Sequence, residues 1–269
     1  MLSEINSDII NTIIQGETIE EMKRIADGSV DMILADLPYG TTACKWDTVI
    51  PFEPLWAEYE RIIKPNGAIV LTASQPFTSA LVMSNPKLFR HEWVWRKSHG
   101  AFATAKIKPL KRHEDVLVFG KNRVRYYPIK EIVEGKVRDR RTEGFFKNNS
   151  ANRSDSAVNP GTTLSYSKDY NPNYKNPISV IKFPNPPTNR VHPTQKPVEL
   201  FEYLIRTYTN EGETVLDNVI GSGTTAVAAI NTGRQFIGIE REEEYVNIAR
   251  ERVKKAYAER DKTGVMSND

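Results

Sequence analysis

Cysteine is nearly absent. Cys44 is the single one in 269 residues, so no internal disulfide can form. Four scattered histidines and no Cys-x-x-Cys pair give no zinc-ligand spacing, so no metal is expected. Long apolar runs are also missing, and no stretch reaches the roughly 18–20 residues that cross a bilayer. The opening MLSEINSDIINTIIQGE has neither the basic start nor the small-residue cleavage site of a secretory leader. Together these absences exclude a disulfide scaffold and a membrane span, and they point to the reducing cytoplasm.

What is present is a globular composition. Hydrophobic residues make up 39% and charged residues 26%, unlike a disordered chain. The length suits one large α/β domain, or one such domain carrying an insertion, with a sizeable core. The net charge of +3 is unevenly spread. Residues 121–190 hold 14 basic and 6 acidic side chains, a net of +8, which leaves −5 for the remainder. A basic segment in a mildly acidic body suggests a polyanion held at one place. A solvated basic loop is the plain alternative.

Hydrophobic patterning predicts alternating strands and helices on either side of that segment. Thr18-Ile19-Glu20-Glu21 reads as a capping box opening a short helix. Asp31 to Asp36 is an apolar run ending in an acid, as in a buried parallel strand. Residues 51–64 carry Leu55, Tyr59, Ile62 and Ile63 on one helical face, and Pro65-Asn66-Gly67 is expected to stop the helix. Strands are predicted at 68–73, 91–96 and 115–119. From Lys121 to about Arg190 the texture turns to Asn, Pro, Ser, Arg and Tyr with little apolar periodicity, which reads as long loops with a few short strands. Order returns at Pro197 with a helix through Phe201 and Leu204. A strand follows at 214–217, then a glycine-rich turn with a helix, a strand at 236–240, and a charged helix over about 242–260. The expected architecture is a mostly parallel sheet with helices on both faces. Its parts are 1–120, an insertion 121–190, and 191–269.

Asp217-Asn218-Val219-Ile220-Gly221-Ser222-Gly223-Thr224-Thr225 joins a strand to a helix. Glycines let the backbone turn tightly and approach a ligand, and free N–H groups of a new helix face that ligand. Glu240 ends the next strand, where a carboxylate can bind both hydroxyls of a ribose. The turn lacks the Lys of a phosphate-binding P-loop and the third Gly of a dinucleotide fingerprint. A purely structural turn is the bland alternative. Asp36-Leu37-Pro38-Tyr39-Gly40 follows the buried strand. Ligands of open parallel sheets sit beyond the carboxyl ends of strands, which puts Asp36 in the expected cleft.

Three segments in order carry a family resemblance. Asp36-Leu37-Pro38-Tyr39 resembles the Asp-Pro-Pro-Tyr signature of amino-methyltransferases acting on DNA. His192-Pro193-Thr194-Gln195-Lys196-Pro197 matches their His-Pro-Thr-Gln-Lys-Pro segment, and Asp217 to Thr225 is similar to their Asp-Pro-Phe-x-Gly-Ser-Gly-Thr-Thr motif. Catalytic motif, variable basic segment, Lys-Pro segment and cofactor motif follow one another as in the β class of N4/N6 DNA methyltransferases. The resemblance implies a Rossmann-like methyltransferase sheet with a loop-rich target-recognition insertion. It implies S-adenosylmethionine as cofactor and double-stranded DNA as partner, and it leaves a homodimer and a restriction-enzyme partner open. By the same resemblance Asp217, Gly221, Ser222, Gly223 and Thr224 lie along the cofactor's methionine part, Glu240 holds its ribose, and Thr194, Gln195 and Lys196 meet its methionine end. Glu17, after Gly16, stands where the family has an acid near the cofactor adenine. Leu37 and Asn218-Val219 depart from the family's Pro and Pro-Phe.

The implied chemistry is methylation of an exocyclic amino nitrogen. Asp36 and the Leu37 carbonyl would accept the two amino hydrogens, and Pro38 would hold the turn. The target base must be flipped out of its stack, and Tyr39 offers it a ring. Asp36 favours adenine N6; cytosine N4 is the alternative, as is a catalytically silent DNA-binding subunit. In the basic segment Lys136, Arg138, Arg140 and Arg141 suit phosphates, and Asn148, Asn149 and Arg153 are types that read base edges.

Overall fold

The computed structural model describes residues 8–41, 47–100, 105–133, 171, 173–185 and 195–266. The chain divides into two units, Met1–Tyr127 with Ser179–Asp269, and Pro128–Ile178. In chain order the strands are β1 (Thr12–Gln15), β2 (Val30–Ala35), β3 (Ile63–Ala73), β4 (Phe89–Arg96), β5 (His113–Phe119), β6 (Glu131–Ile132), β7 (Tyr174–Lys175), β8 (Val180–Lys182), β9 (Thr214–Asp217) and β10 (Gln235–Glu240). The helices are α1 (Thr18–Met22), α2 (Phe52–Ile62), α3 (Phe77–Ser84), α4 (Val198–Tyr208), α5 (Thr224–Asn231) and α6 (Glu243–Met266). The described part of the smaller unit is an antiparallel pair, β6 with β7. Residues 121–127 and 179–185, within the stretch read as insertion, belong to the larger unit.

The larger unit is built on an eight-stranded sheet in the order β1-β10-β9-β2-β3-β5-β4-β8. Every pairing is parallel except those made by β5, which runs antiparallel to β3 and β4. This is the mostly parallel α/β sheet expected, with helices on both faces. Strand periodicity assigns the faces. Met32, Leu34 and Val70 point into a layer with Leu204, Ala226 and Val246 of α4, α5 and α6. Ile33, Ala35 and Leu71 point into the opposite layer with Met22, Tyr59 and Leu81 of α1, α2 and α3. Covered on both sides, β2 is buried along its whole length, and each large apolar side chain there contributes roughly 1.5–3 kcal/mol.

Local differences from the sequence reading have physical causes. Glu17, not Thr18, caps α1: its Oε2 accepts from the N–H groups of Ile19 and Glu20 at 2.9 and 3.0 Å. The Thr18 hydroxyl is buried and donates instead to the Asn218 carbonyl at 2.7 Å. Helix α2 ends at Ile62, because buried Ile63 already pairs with Val30 in the sheet. The register then jumps from Ile63 to Ala68, so residues 64–67 bulge. Gly67 is required there, since a Cβ would lie 2.7 Å from the Asp31 carbonyl oxygen. Helix α3 escaped sequence reading because Phe-Thr-Ser-Ala-Leu-Val-Met-Ser is apolar on several sides and shows no stripe. The edge strand β1 was not foreseen either. Among the described residues, no helix is long and apolar enough to cross a membrane.

Candidate active site

The carboxyl ends of β2, β9 and β10 converge on one cavity of about 400 Å³, within the size range of small-molecule sites. Asp36 and Tyr39 line it after β2, Asp217 and Gly221 after β9, Glu240 at the end of β10, and Lys196 just before α4. Two segments some 180 residues apart in sequence therefore share a cleft because β2 and β9 are hydrogen-bonded neighbours.

Asp36 is held on both oxygens. Oδ1 accepts from the Tyr39 hydroxyl at 2.8 Å and from the Thr72 hydroxyl, and Oδ2 is 2.6 Å from Lys196 Nζ. Burial alone would lower the Lys196 pKa, but the charges of Asp36 and Glu114 outweigh it and raise the net value, so the ammonium stays protonated. The Tyr39 phenol is pushed well above its ordinary range, first by burial and then by the same two carboxylates. Its ring stacks on Phe77 at 5.1 Å and 25°, and Lys196 Nζ lies 5.7 Å from the ring centre. Buried Asp47 accepts from Gly40 and Thr41 N–H, both at 2.9 Å, and so ties down the chain beyond Tyr39.

The second half of the cleft is the glycine turn. Gly223 has φ +85°, and a Cβ there would stand 3.1 Å from Ala249 on α6, so the turn and the close helix packing both demand glycine. Asp217 fixes the turn from inside, accepting from Val219 N–H at 3.1 Å and from the Thr225 hydroxyl. Burial pushes its carboxyl up to about 7, against the lowering effect of those hydrogen bonds. Glu240 accepts from Gly221 N–H at 2.9 Å and Glu242 N–H at 2.8 Å. Burial raises its pKa, and the same backbone donors hold it down in part. Arg252 of α6 grips the turn from outside, donating to the Ser222 carbonyl at 2.6 Å.

The sequence family described as DNA methylase matches residues 30–251. The chain belongs to the DNA methylase family. It is 30% identical to the DNA adenine methyltransferase YhdJ of Escherichia coli K12 over 256 residues, covering 90% of this chain and 82% of that one. It is 28% identical to the type II methyltransferase M.HpaI of Haemophilus parainfluenzae over 254 residues, 90% and 73% of the two chains. Its fold is similar to that in the crystal structure of the M1.HpyAVI–SAM complex, with a TM-score of 0.61 at 24% identity over 90% of this chain and 98% of that one. Enzymes of this family move a methyl group from S-adenosylmethionine onto DNA.

In this DNA methylase, Asp36, Leu37, Pro38, Tyr39, Gln195, Lys196, Asp217, Gly221, Ser222, Thr224, Glu240 and Glu17 all line the cavity. Gly223 caps α5 beside it. The Leu37 side chain is buried in the core, which accounts for a leucine at that position. Asn218, 1% exposed, accepts from the Tyr59 hydroxyl at 2.6 Å and donates to Thr18 Oγ1 at 2.7 Å, so it joins the turn to α2 and α1. The Lys196 side chain extends to Asp36, and the Glu17 carboxylate is engaged in capping α1. Thr194, Lys136, Arg138, Arg140, Arg141, Asn148, Asn149 and Arg153 lie outside the described residues. Sequence reading missed Thr72, Asp47, Lys97, Glu114 and Trp95 as parts of the site. Glu114 opens β5, and because that strand is reversed, its start reaches the rim where its neighbours end. His99 and His113 are exposed.

Proposed function

We propose that the chain methylates the N6 amino nitrogen of adenine in double-stranded DNA, using S-adenosylmethionine. The observation that carries this reading is the meeting of an Asp36 carboxylate and a glycine turn with Glu240 in one cleft. The residues fit the cofactor. Glu240 accepts from the backbone N–H groups of Gly221, Glu242 and Arg241 and, with about four acceptor positions on a carboxylate, retains capacity for a ribose hydroxyl. The acidic side chains Asp217 and Glu240 place oxygen acceptors, not cations, in the half of the cleft where a sulfonium would lie. Gly16 and Glu17 would lie by the adenine ring, and Ser222, Gly223 and Thr224 along the methionine part.

When bound, S-adenosylmethionine supplies a methyl group already activated by its sulfonium. Asp36 and the Leu37 carbonyl accept the amino hydrogens of a flipped base and stabilise the charge that develops on its nitrogen. Tyr39 and Thr72 hold the Asp36 carboxylate in place for that task. Pro38 stiffens the turn that presents the Leu37 carbonyl. The basic residues Lys136, Arg138, Arg140 and Arg141 would hold phosphates, with Asn148, Asn149 and Arg153 as base readers in the 121–190 segment. A single cysteine suits work in the reducing cytoplasm.

Mass spectrometry of nucleosides from DNA treated with the purified protein and S-adenosylmethionine tests the reading. N6-methyladenine is the expected product. N4-methylcytosine would reassign the target base, and no modified base beside normal cofactor binding would make the chain a silent DNA-binding subunit.

A further inference from the structure

Glu114 carries an unusual polar atom. Its Oε1 pairs with Lys97 Nζ. Its Oε2 is buried and meets no donor at good hydrogen-bond geometry among the described residues. Lys196 Nζ lies 3.4 Å from that oxygen, an ion-pair distance, but only 2.6 Å from Asp36 Oδ2. Both the Lys196 and Glu114 side chains are enclosed, at 8% and 14% exposure. A buried acceptor whose nearby cation is held more closely by a second carboxylate is poorly satisfied, so the arrangement calls for a physical reason.

Asp36 has the opposite problem. Tyr39 and Thr72 occupy Oδ1, and Lys196 occupies Oδ2. An amino nitrogen that turns positive during methyl transfer needs an acceptor on Asp36, and an ammonium on the same oxygen repels it. One cation thus sits between two carboxylates, on the one the reaction needs.

We propose that Lys196 is handed from Asp36 to Glu114 when the target base arrives, which frees Asp36 Oδ2 for the amino group. The inference rests on the reading of Asp36 as amino acceptor. The ammonium has only to close the 3.4 Å gap to a charge-assisted length of about 2.8 Å. Lys97 anchors Glu114 through Oε1 and lies 5.0 Å from the centre of the Trp95 ring. The cluster holds two carboxylates and two ammonium groups, so the handover changes no net charge. Glu114 is a positioning residue, acting on the base only through Lys196.

The test uses the full chain, unmethylated DNA and a methyl-labelled donor in single-turnover mode, with cofactor affinity read by calorimetry. Glu114→Gln is expected to slow transfer by about tenfold or more while cofactor affinity stays within about twofold. Glu114→Asp should keep more activity than Glu114→Gln, because charge and not shape receives the ammonium. A Gln variant as fast as wild type, or faster than the Asp variant, overturns the proposal. In a Lys196→Met background the Gln substitution should add no loss, and an undiminished loss there overturns it as well. Should Lys196→Met show no transfer, the Asp and Gln ranking decides. A fully active Asp36→Ala removes the underlying reading together with the handover. A slow Asp36→Ala beside an unimpaired Glu114→Gln removes the handover alone.

Discussion

Lys196 Nζ and Asp36 Oδ2 meet at 2.6 Å across 160 residues of sequence. The pair ties the segment before α4 to the end of β2. Partly enclosed charges are stable only with a partner, since each loses hydration. The pair thus holds the Asp36 carboxylate in one orientation before any substrate is present.

Asp36→Ala should abolish methyl transfer and leave cofactor binding largely intact, because Asp36 faces the base. Calorimetry and a labelled-methyl assay on the same preparation check both halves. Near-normal turnover would remove Asp36 from the mechanism.

Tyr39 has two separable parts. Its hydroxyl donates to Asp36 at 2.8 Å, and its ring stacks on Phe77 with Lys196 Nζ 5.7 Å from the ring centre. Hydrogen bonds to charged groups contribute roughly 1.5–3 kcal/mol, and the Thr72 hydroxyl remains on the same oxygen. Tyr39→Phe should therefore slow transfer by about tenfold or less. Tyr39→Ala should be slower still, since it also removes the ring a flipped base would stack on. Equal rates for the two variants would assign the whole effect to the hydroxyl.

The residues legible in sequence are those whose role is local. Asp36 to Tyr39 and Gly221 to Gly223 sit in short segments at strand ends, where chain order alone predicts a ligand cleft. Glu114 and Lys97 were not legible, because their place depends on which strand β5 pairs with and in which direction. The pattern His-Glu-Asp-Val-Leu-Val-Phe says strand and nothing of its neighbours. Asn218 could be noticed only as a departure from a motif. Its function lies in the hydroxyls of Tyr59 and Thr18, which are distant in sequence. The central sheet was readable because burial on both faces leaves continuous apolar runs, whereas α3 and β1 were too short or too evenly apolar to signal themselves.

Replacing Arg138, Arg140 and Arg141 with Ala should weaken DNA binding and flatten its salt dependence. Every phosphate left without its arginine lowers the slope of log affinity against log salt by roughly 0.9. Titrations at several salt concentrations check this, and an unchanged slope would remove the cluster from the DNA interface. Cofactor affinity should hardly move.

Glu240→Ala should weaken S-adenosylmethionine binding on two counts. It removes the ribose acceptor, each bond contributing roughly 1.5–3 kcal/mol, and it releases the Gly221 N–H it now holds at 2.9 Å. Calorimetry should show a loss of tenfold or more by about 1.4 kcal/mol per decade. Unchanged affinity would exclude Glu240 from the cofactor site.

Asp217 predicts a pH dependence of stability in the cofactor-free protein. Burial raises its carboxyl from 3.8 to about 7 in the folded chain. Between those values the folded state binds more protons than the unfolded state, so stability falls as pH rises. The contribution is fully present below about pH 4 and is lost as pH passes through about 7. Three pH units of difference correspond to on the order of 4 kcal/mol. Asp217→Asn keeps an acceptor for Val219 N–H or Thr225 and carries no charge, so its stability should lack this decline. Urea titrations of both proteins at pH 5 and pH 8 measure the difference directly. Wild type should lose more stability than Asp217→Asn between the two, and parallel losses would show that Asp217 ionises without cost.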